Sequence, residues 1–189
     1  GKLSRGLGDV YKRQFIKKIG DDVVSHKVVD RVYFMSGIGA FAEEISLDQN
    51  QVFKMENEMA FDVAASYQLA YGTSFHALVQ RANIASGDEV LVLGGSGGVG
   101  LAAIDIAKAF GARVIAAVST NEKSKICAEY GADEVIIYGS EKLNKDQQKS
   151  FSSDLKALSH KGGFDIVYDP IGDCFSEPAF RSIGWGGKY

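Results

Sequence analysis

The chain has 189 residues, 46% of them hydrophobic and 24% charged, with a net charge of −3. These values suit a soluble globular protein of one domain plus part of another, or of one large domain. A pI near 5.6 without a basic stripe speaks against nucleic-acid binding. No apolar run approaches the roughly 18 residues of a membrane span, and Cys127 and Cys174 are too few and too far apart for a zinc cluster or a disulfide framework, so a reducing, cytoplasmic compartment is expected.

Residues 1–14 (GKLSRGLGDVYKRQ) have neither periodicity nor a signal-peptide pattern. They resemble translated sequencing-adapter read-through and are set aside as non-native. Residues 15–60 read as a small β region: a strand and turn at Phe15–Gly20, then strands at Val28–Phe34, Phe41–Ile45 and Val52–Met55, with a turn at Ser36–Gly39. Across 61–84 the apolar spacing turns helical, and the pattern predicts two helices broken at Gly72. From residue 85 onward strands and helices alternate. Strands are expected at Val90–Leu93, Arg113–Val118, Glu134–Ile137 and Phe164–Tyr168. Helices are expected from the Gly94–Gly100 turn to Phe110 and at Asn121–Tyr130, Asp146–His160 and Cys174–Ile183. This alternation is the signature of an α/β, Rossmann-type doubly wound parallel sheet. The end, Trp185–Tyr189, reads as a turn entering a strand that is missing. The chain is therefore read as a fragment, its sheet incomplete and its fourth strand left as an exposed, aggregation-prone edge.

Residues 91–100, LVLGGSGGVG, set a glycine-rich turn between a strand and a helix. Gly95, Gly97 and Gly100 meet the G-x-G-x-x-G spacing, which allows a tight turn, a close approach of a diphosphate to bare backbone, and close helix–sheet packing. The helix start then offers free N–H groups to phosphate. NAD sites carry an acidic residue about 20 positions further on. At that distance stand Val118, Ser119 and Thr120, without an acid, while Ser119 and Lys123 suit a 2′-phosphate and favour NADPH. Ser119 and Glu122 equally form an S-x-x-E capping box, and Lys123 equally suits a solvated surface.

The run LVLGGSGGVGLAAIDIAKAFGARVIAAVS closely resembles the cofactor loop, helix and second strand of quinone oxidoreductases. These are the zeta-crystallin-like, zinc-independent branch of the medium-chain dehydrogenase/reductase superfamily. Upstream, Ile16–Gly20, Val29–Val32, Gly39–Glu43 and Ala70–Leu78 are similar to the family's GroES-like strands and linker helices; downstream, Glu129–Asp133, Asp165–Gly172 and Trp185–Gly187 continue the likeness. The resemblance implies that 15–60 is the C-terminal part of a GroES-like catalytic domain, 61–84 linker helices and 85–189 a truncated NADPH-binding domain. It implies hydride transfer from NADPH to a quinone or an activated alkene such as an α,β-unsaturated carbonyl, by a homodimer when full-length, the fragment itself being inactive. Alternatives in the same superfamily are an enoyl-thioester reductase and a non-catalytic NADPH-binding protein of the crystallin or trafficking kind.

By position, Gly95, Ser96, Gly97, Gly98, Val99 and Gly100 form the diphosphate loop. Ser119, Lys123 and Tyr138 surround the 2′-phosphate, and Thr73 stands near the nicotinamide. Two departures occur: Val29 replaces the glycine of the usual Gly-Asp-Arg-Val turn, and Gly95-Ser96 replaces two alanines. No cysteine lies in Tyr33–Ile38, where zinc-dependent relatives carry a four-cysteine lobe, so no zinc is expected. Cys127 reads as core, Cys174 as semi-exposed, and His26, His76 and His160 as structural or solvated. No catalytic acid is assigned.

Overall fold

Branched and aromatic residues in the first third do form strands, but shorter ones and in part elsewhere than their pattern suggests. The computed structural model describes residues 11–36, 39, 42–56, 58–59 and 61–189. It divides into two compact units, Gly1–Gln68 and Leu69–Tyr189.

In the first unit β1 (Tyr11–Phe15), β2 (Arg31–Met35) and β3 (Val52–Lys54) make an antiparallel sheet in that order. The first strand therefore covers Tyr11–Gln14, which the sequence reading had set aside, and Ile16–Gly20 is not strand. Residues 1–10 lie outside the described residues. So does Phe41 of the expected strand at Phe41–Ile45, and Ala42–Ile45 forms no strand. Alternation in β2 buries Val32 and Phe34, while Tyr33 on the other face stacks on Phe53 with centroids 5.5 Å apart. Val29 has φ 66°, in the left-handed region. A β-branched residue there costs about 1–2 kcal/mol, which is why glycine suits this turn. Val29→Gly should raise stability, the gain reduced to about 0.5–1 kcal/mol by the extra freedom glycine has when unfolded. A thermal melt showing a lower midpoint for the variant would contradict this.

Helix α1 spans Phe61–Phe75, without a break at Gly72, and gives way to a π-helical turn at His76–Arg81. Gly72 is exposed, with nothing within 4 Å of where its Cβ would be. A glycine so placed weakens a helix by about 1 kcal/mol relative to alanine but does not bend it.

The second unit contains β4 (Glu89–Leu93), α2 (Gly98–Ala109), β5 (Arg113–Val118), α3 (Asn121–Glu129), β6 (Glu134–Ile137), α4 (Lys145–Leu158), β7 (Phe164–Tyr168), α5 (Ser176–Arg181) and β8 (Ile183–Lys188). All five strands are parallel, in the order β6-β5-β4-β7-β8. This is a doubly wound α/β sheet. The fifth strand, expected to be missing, is β8, and β7 lies inside the sheet rather than at its edge. Three glycines in Ile183–Lys188 disguise the strand as a turn. A register irregularity against β7 absorbs them, leaving Trp185 fully exposed.

Successive residues of β4 and β5 point to opposite faces, and both faces are buried. Val90, Val92, Val114 and Ala116 pack with Ala103, Ile104 and Ala107 of α2 and Cys127 of α3. Leu91, Leu93, Ile115 and Ala117 pack with Phe151 and Leu155 of α4 and Ala179 of α5. Because α2 and α3 cover one face and α4 and α5 the other, the connections part company between β4 and β7. There, by the rule for such sheets, ligands bind in a crevice outside the C-terminal strand ends.

Candidate functional site

The crevice begins where β4 ends. Gly94 has φ 60°, a backbone that glycine alone adopts readily. Gly95 is buried, and a Cβ there would lie 2.9 Å from the Ala116 Cβ and 3.0 Å from the Cys127 Sγ. Gly100 is tighter still: its Cβ would overlap the Gly94 carbonyl and stand 2.8 Å from the Gly95 Cα. Gly97 and Gly98, by contrast, are exposed, and nothing lies within 4 Å of a Cβ at Gly98. Two glycines thus let the chain cross itself, and two leave its outer surface bare.

Gly97 is the N-cap of α2 and brings no side-chain hydrogen bond; no acidic residue stands in the first turn. The leading N–H groups of a helix have no intrahelical partner, and the aligned peptide dipoles make this end positive. Val99 and the half-buried Ser96 lie at the same turn. From α1, the fully buried Ser74 hydroxyl donates to the Val99 carbonyl at 2.8 Å, and the Tyr168 hydroxyl lies 3.1 Å from it. Tyr71 anchors the same helix by donating to Asp105 at 2.8 Å. With α1 unbroken, Tyr71 and Ser74 share one of its faces, which is the signal that could have found Ser74. Thr73, the residue chosen from sequence, stays exposed.

At the end of β5 the Lys123 ammonium donates to the Ser119 hydroxyl at 2.9 Å. The expected pair is therefore brought together, one strand from the glycine turn. The Ser119–Glu122 capping box does not form: Thr120 is the cap, accepting from the Lys123 amide at 3.4 Å. Glu122 instead turns back on its own amide and the Thr120 hydroxyl, which hold its carboxyl below the ordinary value. The Tyr138 amide donates to the Val118 carbonyl at 3.0 Å, which places it beside this tip. Its ring packs against Phe175 and Phe151, with centroids 4.4 and 6.0 Å away, on the face opposite α3. Burial, then the charge of Asp169, pushes its phenol above the usual range.

The other wall of the crevice is the turn after β7, which sequence reasoning passed over. Asp169 there accepts from the Ile171 and Gly172 amides, both at 2.9 Å, from the Ser176 hydroxyl at 2.7 Å and from the Tyr189 hydroxyl at 2.6 Å. Cys127 is wholly buried, its thiol pushed up to about 11 by desolvation, and so is inert core as expected. Cys174 is half-buried, its sulfur accepting from the Leu143 amide at 3.3 Å. Among the described residues no three His, Cys, Asp or Glu side chains gather as a metal site, and no helix is long and apolar enough to cross a membrane.

Residues 98–189 match the family model described as zinc-binding dehydrogenase. The chain is 34% identical over 175 residues to a quinone oxidoreductase-like protein 2 from Mus musculus, covering 92% of this chain and 47% of that protein. Among solved structures, a mycobacterial protein complexed with NADPH superposes with TM-score 0.80 at 31% identity, covering 92% of this chain and 52% of that one. The Escherichia coli quinone oxidoreductase complexed with NADPH does so with TM-score 0.79 at 26% identity, covering 93% and 52%. The chain spans about half the length of the relatives it matches.

Proposed function

The chain belongs to the quinone oxidoreductase branch of the medium-chain dehydrogenase/reductase superfamily, and from that premise we propose that it binds NADPH and serves reduction of a quinone or an activated alkene. One observation carries the reading. A helix start with no side-chain cap stands at the C-terminal end of β4, one strand from the Lys123–Ser119 pair. These groups fit a phosphorylated dinucleotide. The bare surface at Gly97 and Gly98 leaves room for a diphosphate, and the amides of Gly98, Val99 and Gly100 point out of the helix end toward it. Lys123 and Ser119 supply the charge and the donor for a 2′-phosphate; the Tyr138 backbone stands beside them, and its phenol would have to leave its packing on Phe175 to join them. Ser96 stands at the turn, and Thr73 on the α1 side would border the nicotinamide half.

NADPH, when bound, supplies the hydride. The chain's own part is positioning: α2 fixes the diphosphate, the Lys123–Ser119 pair fixes the adenosine end, and the two crevice walls set the direction of the rest. No cysteine stands in Tyr33–Ile38, and we assign this chain no zinc. The whole protein is proposed to act as a homodimer on a small molecule.

Titration followed by nicotinamide fluorescence tests the cofactor assignment. NADPH should bind more tightly than NADH. Lys123→Ala should weaken NADPH by roughly 10- to 100-fold, the worth of a hydrogen bond between charged groups, while NADH changes less than about twofold. Equal losses for both cofactors would remove Lys123 from the site. Oxidation of NADPH with a benzoquinone, but not without an acceptor, tests the reaction.

A further inference from the structure

Resting on the cofactor reading above, we propose that Asp169 is a positioning residue for the nicotinamide half of the dinucleotide, acting through the turn that forms the second wall of the crevice. Asp169 is the first residue after β7, and Tyr168 before it pairs with Val92 of β4. The Asp169 turn and the Gly94 turn therefore face each other across the reversal in strand order. In a doubly wound sheet the two mononucleotide halves of a ligand lie on opposite sides of that point. The glycine turn and the Lys123–Ser119 pair occupy the adenosine side, so the Asp169 turn lies on the nicotinamide side.

The carboxylate is fully used. One oxygen takes the amides of Ile171 and Gly172, and the other takes the hydroxyls of Ser176 and Tyr189. These four donors outweigh its partial burial and hold the carboxyl below its ordinary value. Three chain segments are thereby tied to one point: the turn itself, the start of α5 and the residue after β8. The turn needs such a tie. Gly172 takes φ 73° freely, but Asp173 is held at φ 57°, in the left-handed region. What the tie secures is the placement of Ile171 on the phosphate turn. The Ile171 Cδ1 would lie 2.9 Å from a Cβ at Gly94, so the isoleucine sits over that glycine with no room for a methyl group between them. The wall on the nicotinamide side, Ile171 included, is then set by a single carboxylate, none of whose hydrogen bonds involves the diphosphate loop or the Lys123–Ser119 pair.

Binding to the 189-residue chain by isothermal titration separates this role from a merely structural one. The probes are NADPH and adenosine 2′,5′-bisphosphate, which carries only the phosphorylated adenosine end. Asp169→Ala should weaken NADPH about tenfold, on the scale of lost charge-assisted hydrogen bonds, and leave the bisphosphate within about twofold. Asp169→Asn keeps an acceptor for the two amides and should recover part of the loss. Tyr189→Phe removes one donor only and should weaken NADPH about threefold with the fold intact, which keeps the test decisive if the alanine variant does not fold. Equal weakening of both probes, or no change in NADPH for Tyr189→Phe, would overturn the proposal. If the unaltered chain took up neither probe, the cofactor reading itself would fall, and the inference with it.

Discussion

Gly100→Ala is expected to destabilise the second unit by about 3 kcal/mol, the upper end of what one added methyl costs in a tight site, and to lower its melting midpoint by roughly 10 °C. The added Cβ would meet the Gly94 carbonyl and the Gly95 Cα, the latter at 2.8 Å. Both are backbone atoms of the same turn, so no flexible side chain can yield, and α2 must move off the end of β4. NADPH uptake should fall with it, because the amides that face the diphosphate belong to the displaced helix turn. Gly97→Ala offers the contrast. Its Cβ would lie 3.4 Å from the Gly94 carbonyl, a contact needing little adjustment. That variant should melt within about 0.5 kcal/mol of the parent, as surface substitutions do, yet bind NADPH at least about tenfold more weakly by crowding the diphosphate. Calorimetry and cofactor titration on both proteins decide it. Equal stability for Gly100→Ala and the parent would mean the turn is not closed on itself.

This division among the glycines shows what the sequence made legible. The G-x-G-x-x-G spacing located the turn, and the run of apolar residues in Val90–Leu93 located the strand before it. Spacing alone could not say which glycines face protein and which face outward, since that depends on Ala116 and Cys127 beneath the turn. The Lys123–Ser119 pair was legible because the glycine motif sets where the second strand ends, about 20 positions on, and a serine and a lysine stand there in place of an acid. The Asp169 turn was not. Its partners Ser176 and Tyr189 are 7 and 20 positions away, and they meet only once β8 has paired with β7. Since β8 was itself disguised by glycines, both the fifth strand and the second wall of the crevice were lost together. Gly72 misled in the opposite direction, because a solvent-facing glycine lowers helix propensity without supplying anything that stops a helix packed through Tyr71, Ser74 and Leu78.

The end of the sheet opposite the crevice is held by an ionic cluster whose removal should cost still more. Glu89 opens β4 with only 3% of its surface exposed. It accepts from Arg113 at 2.7 Å, from the Ser159 hydroxyl at 2.6 Å, and from the His160 and Lys161 amides at 3.0 and 3.3 Å. Arg113 also pairs with Glu134 and donates to the Leu158 carbonyl at 2.9 Å, so β4, β5, β6 and the end of α4 meet around the Glu89–Arg113 pair. Glu89→Leu leaves Arg113 short of its buried partner and the His160 amide without an acceptor. The expected loss is about 3–5 kcal/mol, a large part of a domain's stability. Burial opposes the charge on Glu89, but the Ser159 hydroxyl, the His160 amide and Arg113 overcome it, so its carboxyl sits below the ordinary 4.5. A depressed folded-state value means the stabilisation is complete above the unfolded value and is lost as pH falls through the folded one. Urea unfolding should therefore show the gap between the parent and Glu89→Gln at full width near pH 7, narrowing only below about pH 4.5. A gap that stayed constant down to the acid transition would show that the carboxylate's charge contributes nothing, and that the cluster stabilises by packing alone.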